Sequence, residues 1–252
     1  LELDEFEIHT NEKVDFRFGR SVGKGRGLVA TLLPSPGGSN HGPNIGGIDS
    51  IQLEREVELR LEGLETGVLP DSADHMSDVE ATEKPVLVKC DGKLTANLSA
   101  KVITLEDAVD VCRGVPGQGG DSLTCDVLAL VLGEPDRHPT QNASSGLEVV
   151  EIQASGSPVR VHSADAGIEV RADRLGYELQ TQRILLDGKD PVSIYTSGVE
   201  LEAKSVDYTP GENNTIGSLM AIGPGWIRAI NESQPAIESH WQKWLRIRPD
   251  DV

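Results

Sequence analysis

The sequence has no apolar stretch long enough for a membrane helix, few aromatics, few cysteines, and far fewer bases than acids. Its 252 residues include 23 Lys and Arg against 41 Asp and Glu, a formal net charge of −18. Phosphate backbones are bound by clustered Lys and Arg, so this balance argues against nucleic acid as a partner. It also argues against simple adsorption to an anionic membrane surface. The three cysteines, Cys90, Cys112 and Cys125, form no C-x-x-C pair, which argues against zinc. The six histidines are dispersed without H-x-x-x-H spacing. There is no Gly-x-Ser-x-Gly elbow of the common hydrolases. Asp121, Asp126, Asp173 and Asp187 lie near expected turns, but nothing resembles the Asp-x-Asp-x-Asp-Gly loop of calcium sites. Paired carboxylates in a groove would suit a glycosidase, yet the sequence does not pair them. No catalytic residue, metal or cofactor is expected.

An initiator Met and a leader peptide are also missing. Leu1 already stands in an alternating Leu-Glu-Leu pattern, and Trp241–Val252 starts another alternation and stops. The sequence therefore reads as a fragment of a longer chain, and its lack of a leader says little about compartment.

What is present is alternation. Apolar residues recur at every second position around Leu1–Phe18, Leu28–Leu33 and Ile51–Leu61, as half-buried strands require. Ile51–Leu61 has the composition of a helix, but Ile51, Leu53, Val57, Leu59 and Leu61 share one parity, so a strand is expected. Gly19–Gly27, with Arg20, Lys24 and Arg26, lacks the spacing of a phosphate loop and is expected to be a basic turn. Val86–Leu98 has two alternating runs around Asp91-Gly92, the pattern of a hairpin. Lys101–Arg113 and Ser122–Leu132 follow as a strand pair, and Pro235–Trp244 is the best helix candidate. Cys112 and Cys125 flank the Gly-rich stretch Gly114–Gly120; adjacent antiparallel strands are expected there, carrying either a disulfide or two half-buried thiols. The polar, acidic stretch 67–84 reads as a linker or long loop between an N-terminal β module, 1–66, and a second β domain, 85–252.

A nine-residue pattern occurs three times. Glu169–Tyr177 and Glu200–Tyr208 both read acid, apolar, polar, Ala, polar, polar, apolar, polar, Tyr, and Ser122–Leu130 is a looser copy with Cys125 in the small-residue slot. After each copy comes an apolar run ending in glycine, at Val149–Gly156, Ile184–Gly188 and Leu219–Gly223. The first two continue to Pro-Val, the third as Gly223-Pro-Gly-Trp-Ile227. Recurrence at a few tens of residues implies stacked units, each finishing its neighbour's core. The alternative is a β-sandwich with chance similarity between strands.

The succession Leu-Thr-Cys-Asp-x-Leu, apolar-Gly-x-Pro-Val, Ala-x-x-Leu-x-Tyr and Leu-Leu-Asp-Gly-x-x-Pro-Val, over about Val86 to Ile230, resembles the OstA/LptA-like family of lipopolysaccharide-transport proteins. The resemblance implies an all-β fold of stacked antiparallel β-jellyroll, taco-like repeats, in one or two consecutive modules, with an interior that holds acyl chains. It implies a periplasmic or cell-envelope location in a diderm bacterium. The implied partners are lipopolysaccharide or a similar lipid and other envelope β-jellyroll proteins, end to end. The chain departs from the small family members in its N-terminal section and in a broad insertion at Gly133–Gly146. Val159, Val161, Val170, Leu175, Tyr177, Val192, Ile194, Leu201, Val206 and Tyr208 should point inward, either lining a lipid slot or filling a dry core. Ala172 and Ala203 suit space inside or tight packing equally. A second class also fits, a β-solenoid or sandwich that binds or cleaves polysaccharide or serves as a scaffold. A cleft with paired carboxylates or a row of exposed aromatics would favour it; a continuous apolar groove would favour lipid.

Overall fold

The computed structural model describes residues 2–4, 6–18, 21–34, 45–61, 85–114, 120–133, 148–164, 166–211, 217–231 and 234–248. They form only strands and their connections. These are β1 (Glu2–Asp4), β2 (Glu7–Phe18), β3 (Ser21–Pro34), β4 (Ile45–Leu61), β5 (Val86–Cys90), β6 (Leu94–Asn97), β7 (Val102–Arg113) and β8 (Asp121–Gly133). They continue as β9 (Glu148–Ser163), β10 (Ile168–Glu178), β11 (Arg183–Tyr195), β12 (Val199–Thr209), β13 (Ser218–Ile222), β14 (Gly225–Asn231), β15 (Gln234–Trp241) and β16 (Trp244–Ile247). All belong to one 16-stranded antiparallel sheet that runs in chain order up to β12, with β5 and β6 sharing the place between β4 and β7, and β13 with β16 and β14 with β15 continuing from β12. Stretch 67–84 lies outside the described residues, but it does not divide two sheets. β4 pairs directly with both β5 and β6, so the expected N-terminal module and second domain share one ladder.

Each long strand is interrupted near its middle, and the interruptions line up across the sheet. Register shifts fall between Thr10 and Lys13 on β2, Lys24 and Arg26 on β3, and Glu106 and Val109 on β7. They continue between Thr124 and Val127 on β8, Ala172 and Arg174 on β10, and Asp187 and Val192 on β11. Left-handed backbone marks the same line, at Glu56 (φ 55°), Asp107 (φ 65°) and Ala108 (φ 49°). Extra residues in one strand bend it and raise its twist. A stack of such bends folds the whole sheet along a line, leaving two arms, as in a taco. Side-chain carboxylates tie neighbouring bends together. Asp126 accepts the Ser157 N–H at 3.0 Å, and Asp173 accepts the Lys189 N–H at 2.6 Å.

The bend accounts for the Gly-x-Pro-Val and Gly-x-x-Pro-Val motifs, which are the crossings of β9 and β11 from one arm to the other. At Gly188 a Cβ would meet the Asp190 carbonyl at 2.7 Å and the Asp173 carboxylate at 3.0 Å, so only glycine fits without displacement. It also corrects three expectations. Val86–Leu98 is not a hairpin: β5 and β6 do not pair with each other but each pair with β4 and β7, on either side of the bend at Asp91-Gly92. The described part of Gly19–Gly27 is not a basic turn but part of β3. A Cβ at Gly23 would meet the tips of the Phe16 and Leu59 side chains, which would have to turn aside. Pro235–Trp244 is not helical; it spans most of β15 and the start of β16, paired to β14 and β13.

The repeat occupies alternate strands. Its three copies lie on β8, β10 and β12, and each trailing apolar run is the strand that returns beside it. Apolar positions of the copies fall into four rows across the concave face. The first row carries Leu123, Val161, Val170, Ile194 and Leu201 in direct register. It extends back through Val111, Val88, Leu59 and Gly23 to Phe16 on β2. The second row, beside the bend, pairs Val109 with Cys125, Val159 with Ala172 and Val192 with Ala203. Beyond the bend, the third row runs Leu53, Leu94, Leu105, Leu128, Ala154, Leu175, Leu186, Val206 and Ala221. The fourth runs Ile103, Leu130, Ile152, Tyr177, Ile184, Tyr208 and Leu219. Tyr177 and Tyr208 thus flank Ile184 on the same face, the equivalence that the repeat spacing requires. Buried members of both arms form one hydrophobic cluster. No second layer is present among the described residues, so the arms cover each other.

Candidate functional site

All ten residues expected to point inward lie on the concave face, but in two environments. Val159, Val161, Leu175, Tyr177, Val192, Leu201 and Val206 are buried, Val192 completely at 0% exposure. Val170 and Ile194 are half-buried against the core, and Tyr208 is half-buried. Burial raises the Tyr208 phenol above its ordinary pKa, the cost of ionising a phenol with little water around it.

The two rows beside the bend are a dry seam. Leu53, Val57, Leu105, Val109 and Val159 are each at most 1% exposed there. The outer two rows form the mouth. Half-buried Leu59, Val170, Ile194 and Ile227 stand in the first row; Ile103, Leu130, Ile184 and Leu219 stand in the fourth. The mouth shows an apolar surface crossed by no charged side chain in these rows. Beyond the first row it turns polar on β7–β9, where Arg113, Asp121 and Ser163 stand in register and Ser163 donates to Asp121 at 2.6 Å. The small residues Ala172 and Ala203 are buried, at 3% and 1% exposure, and the Trp241 ring lies against Gly225 on the neighbouring strand. Sequence reasoning missed Ile184, Ile103 and Leu130 as mouth residues. The signal was their parity with the tyrosine slot.

The convex face is polar and carries cross-strand ion pairs. Arg183 donates to Asp207 through Nε at 2.9 Å and Nη2 at 2.7 Å, holding that carboxyl below the usual aspartate range. Arg228 reaches Glu238 at 2.9 Å and Glu200 at 3.2 Å, with its guanidinium 5.5 Å from the Trp226 ring centre. Exposed Tyr195 and Trp244 stand on separate strands, β11 and β16, and form no row. Among the described residues no group of His, Cys, Asp and Glu is placed to hold a metal ion.

Cys112 and Cys125 lie on adjacent antiparallel strands, but the register keeps them apart. Cys112 opposes Ser122, while Cys125 opposes Val109, three residues along and on the other face. A bridge needs Cα atoms within about 7 Å and converging side chains, so the disulfide alternative is corrected to free thiols, and Cys90 is free as well. Burial pushes the Cys90 thiol up to about 11 and the Cys125 thiol up to about 12. Denatured, unreduced protein should therefore titrate as three thiols. In the native state half-buried Cys112 should react first with a thiol reagent, because the other two are shielded and poorly ionised. A count of one thiol would contradict this register.

Fold and site together define a class: a single antiparallel sheet, folded along a line of bends over an apolar interior with a half-open mouth. No family model matches the chain, and no curated protein matches it significantly.

Proposed function

We propose that this chain is a non-enzymatic cell-envelope protein that shelters the acyl chains of lipopolysaccharide or a similar lipid along the mouth of its folded sheet. The observation that carries it is the pair of mouth rows, apolar across successive strands, in which half-buried side chains such as Val170, Ile194, Ile184 and Leu130 alternate with buried ones. A chain laid along them would gain about 0.8 kcal/mol per buried CH₂. With a net charge of −18, the protein offers little attraction to lipid phosphates, so hydrophobic burial has to supply the affinity. The order of the sequence motifs supports the periplasm of a diderm bacterium as the setting. It also supports end-to-end partners of the same β-jellyroll kind, whose strands would prolong the rows.

A photoreactive residue at Ile184 tests the proposal, with Leu185 as its control. The two are neighbours on β11 but face opposite sides, Ile184 half-buried in the mouth and Leu185 on the convex face at 45% exposure. Irradiation with lipid A should label the protein from position 184 and not from 185. Equal labelling, or none, would count against an interior lipid path and leave a structural β scaffold.

A further inference from the structure

The convex face holds an arrangement that the lipid proposal does not use. Arg160 on β9 and Arg171 on β10 are directly opposite in register, and both are exposed. Like charges in that position destabilise a sheet. Neither has a hydrogen bond or ion pair with any residue among those described. Three other arginines of this face are matched: Arg174 with Asp187, Arg183 with Asp207, and Arg228 with Glu200 and Glu238. Arg17 and Arg246 also have no such partner among the described residues, but they oppose Val22 and Met220 rather than a second arginine. Arg26 and Arg55 also stand in register, but Arg26 lies 3.7 Å from Glu56. In a chain with 41 acids and 23 bases, an unmatched arginine pair runs against the general charge balance.

The neighbours of the pair suit an anion. In the same row Thr124 opposes Arg160 and Ser193 opposes Arg171, each offering a hydroxyl. In the next row His162 opposes Glu169, and Glu169 opposes Tyr195. Glu169 is the one carboxylate in these two rows on β9–β11, two residues from Arg171, and it is aligned with the imidazole rather than with a guanidinium. Two arginines in direct register can bring forked N–H donors and a charge of +2 to one ligand, complementary to a phosphate ester. We propose that Arg160 and Arg171 form a binding site for a phosphate group on the convex face of the sheet, flanked by Thr124, His162 and Ser193. This site is independent of the acyl-chain mouth, which lies on the other face.

The test uses the whole 252-residue chain. Arginine side-chain N–H resonances and the melting temperature are followed while pyrophosphate is added, at ionic strength held constant with sodium chloride. A second arm measures sedimentation with phosphatidylcholine vesicles, with and without phosphatidic acid. The expected result is saturable shifts of the Arg160 and Arg171 resonances and a higher melting temperature with pyrophosphate. Both should be weakened about tenfold or more by Arg160→Gln or Arg171→Gln, and neither changed by Arg183→Gln. Co-sedimentation dependent on phosphatidic acid would assign the site to a lipid headgroup; pyrophosphate binding alone would assign it to a soluble phosphate ester. Absence of any response in both arms, or a response that survives the double replacement Arg160→Gln and Arg171→Gln, would overturn the proposal. Failure of the lipid A labelling described above would leave it untouched.

Discussion

Protein carrying Val192→Asp should fail to fold. Val192 has no exposed surface and opposes Ala203 in the row beside the bend, inside the dry seam. A carboxylate there has no water and no cation within its row, and an uncompensated buried charge costs several kcal/mol. Changes of this kind belong to the few that exceed about 4–5 kcal/mol, against a total stability of about 5–15 kcal/mol for a typical domain. Far-ultraviolet circular dichroism during urea titration should show no cooperative transition where the unaltered protein shows one. A cooperative melt close to the unaltered protein's would mean that water reaches the bend and that the seam is not closed.

The same replacement two residues along the strand should behave differently. Ile194 shares the face of Val192 but stands in the outer row, half-buried at the mouth. An aspartate there can turn its carboxylate toward water, so Ile194→Asp should cost about 1–3 kcal/mol, the ordinary range for a point change. The fold should survive. An acyl chain along the first row would have to pass over a charge and strip its hydration, so lipid binding should be lost. The contrast between positions 192 and 194 separates an apolar seam that stabilises the sheet from an apolar mouth that is left over for a ligand.

The slots of the repeat were legible in halves, because Val170 and Ala172, and then Leu175 and Tyr177, each follow strand parity. The three-residue step from Ala172 to Leu175 breaks that parity, and the register shift between Ala172 and Arg174 is what returns both halves to one face. The bend was not legible. Asp91-Gly92 has the same local chemistry whether the chain reverses or only bends, and the difference is set by which strands pair on either side. Gly23 reads as a turn residue, yet it lies inside β3, with the Phe16 ring reaching it across a strand pair. The relation between Cys112 and Cys125 depends on the register set by the loop between them, and a one-residue change of register exchanges faces. Nor could alternation tell seam from mouth. Val192 and Ile194 look equivalent in the sequence, and only the packing of one arm against the other distinguishes them.

Native mass spectrometry of the unaltered chain and of Ile194→Asp with lipid A, beside thermal melting of both, would show whether acyl chains lie along the mouth. The unaltered protein should carry a lipid adduct, and Ile194→Asp should melt cooperatively and carry none. Unaltered protein without an adduct, or an Ile194→Asp protein that binds lipid as well as the unaltered one, would contradict an acyl-chain path along the mouth.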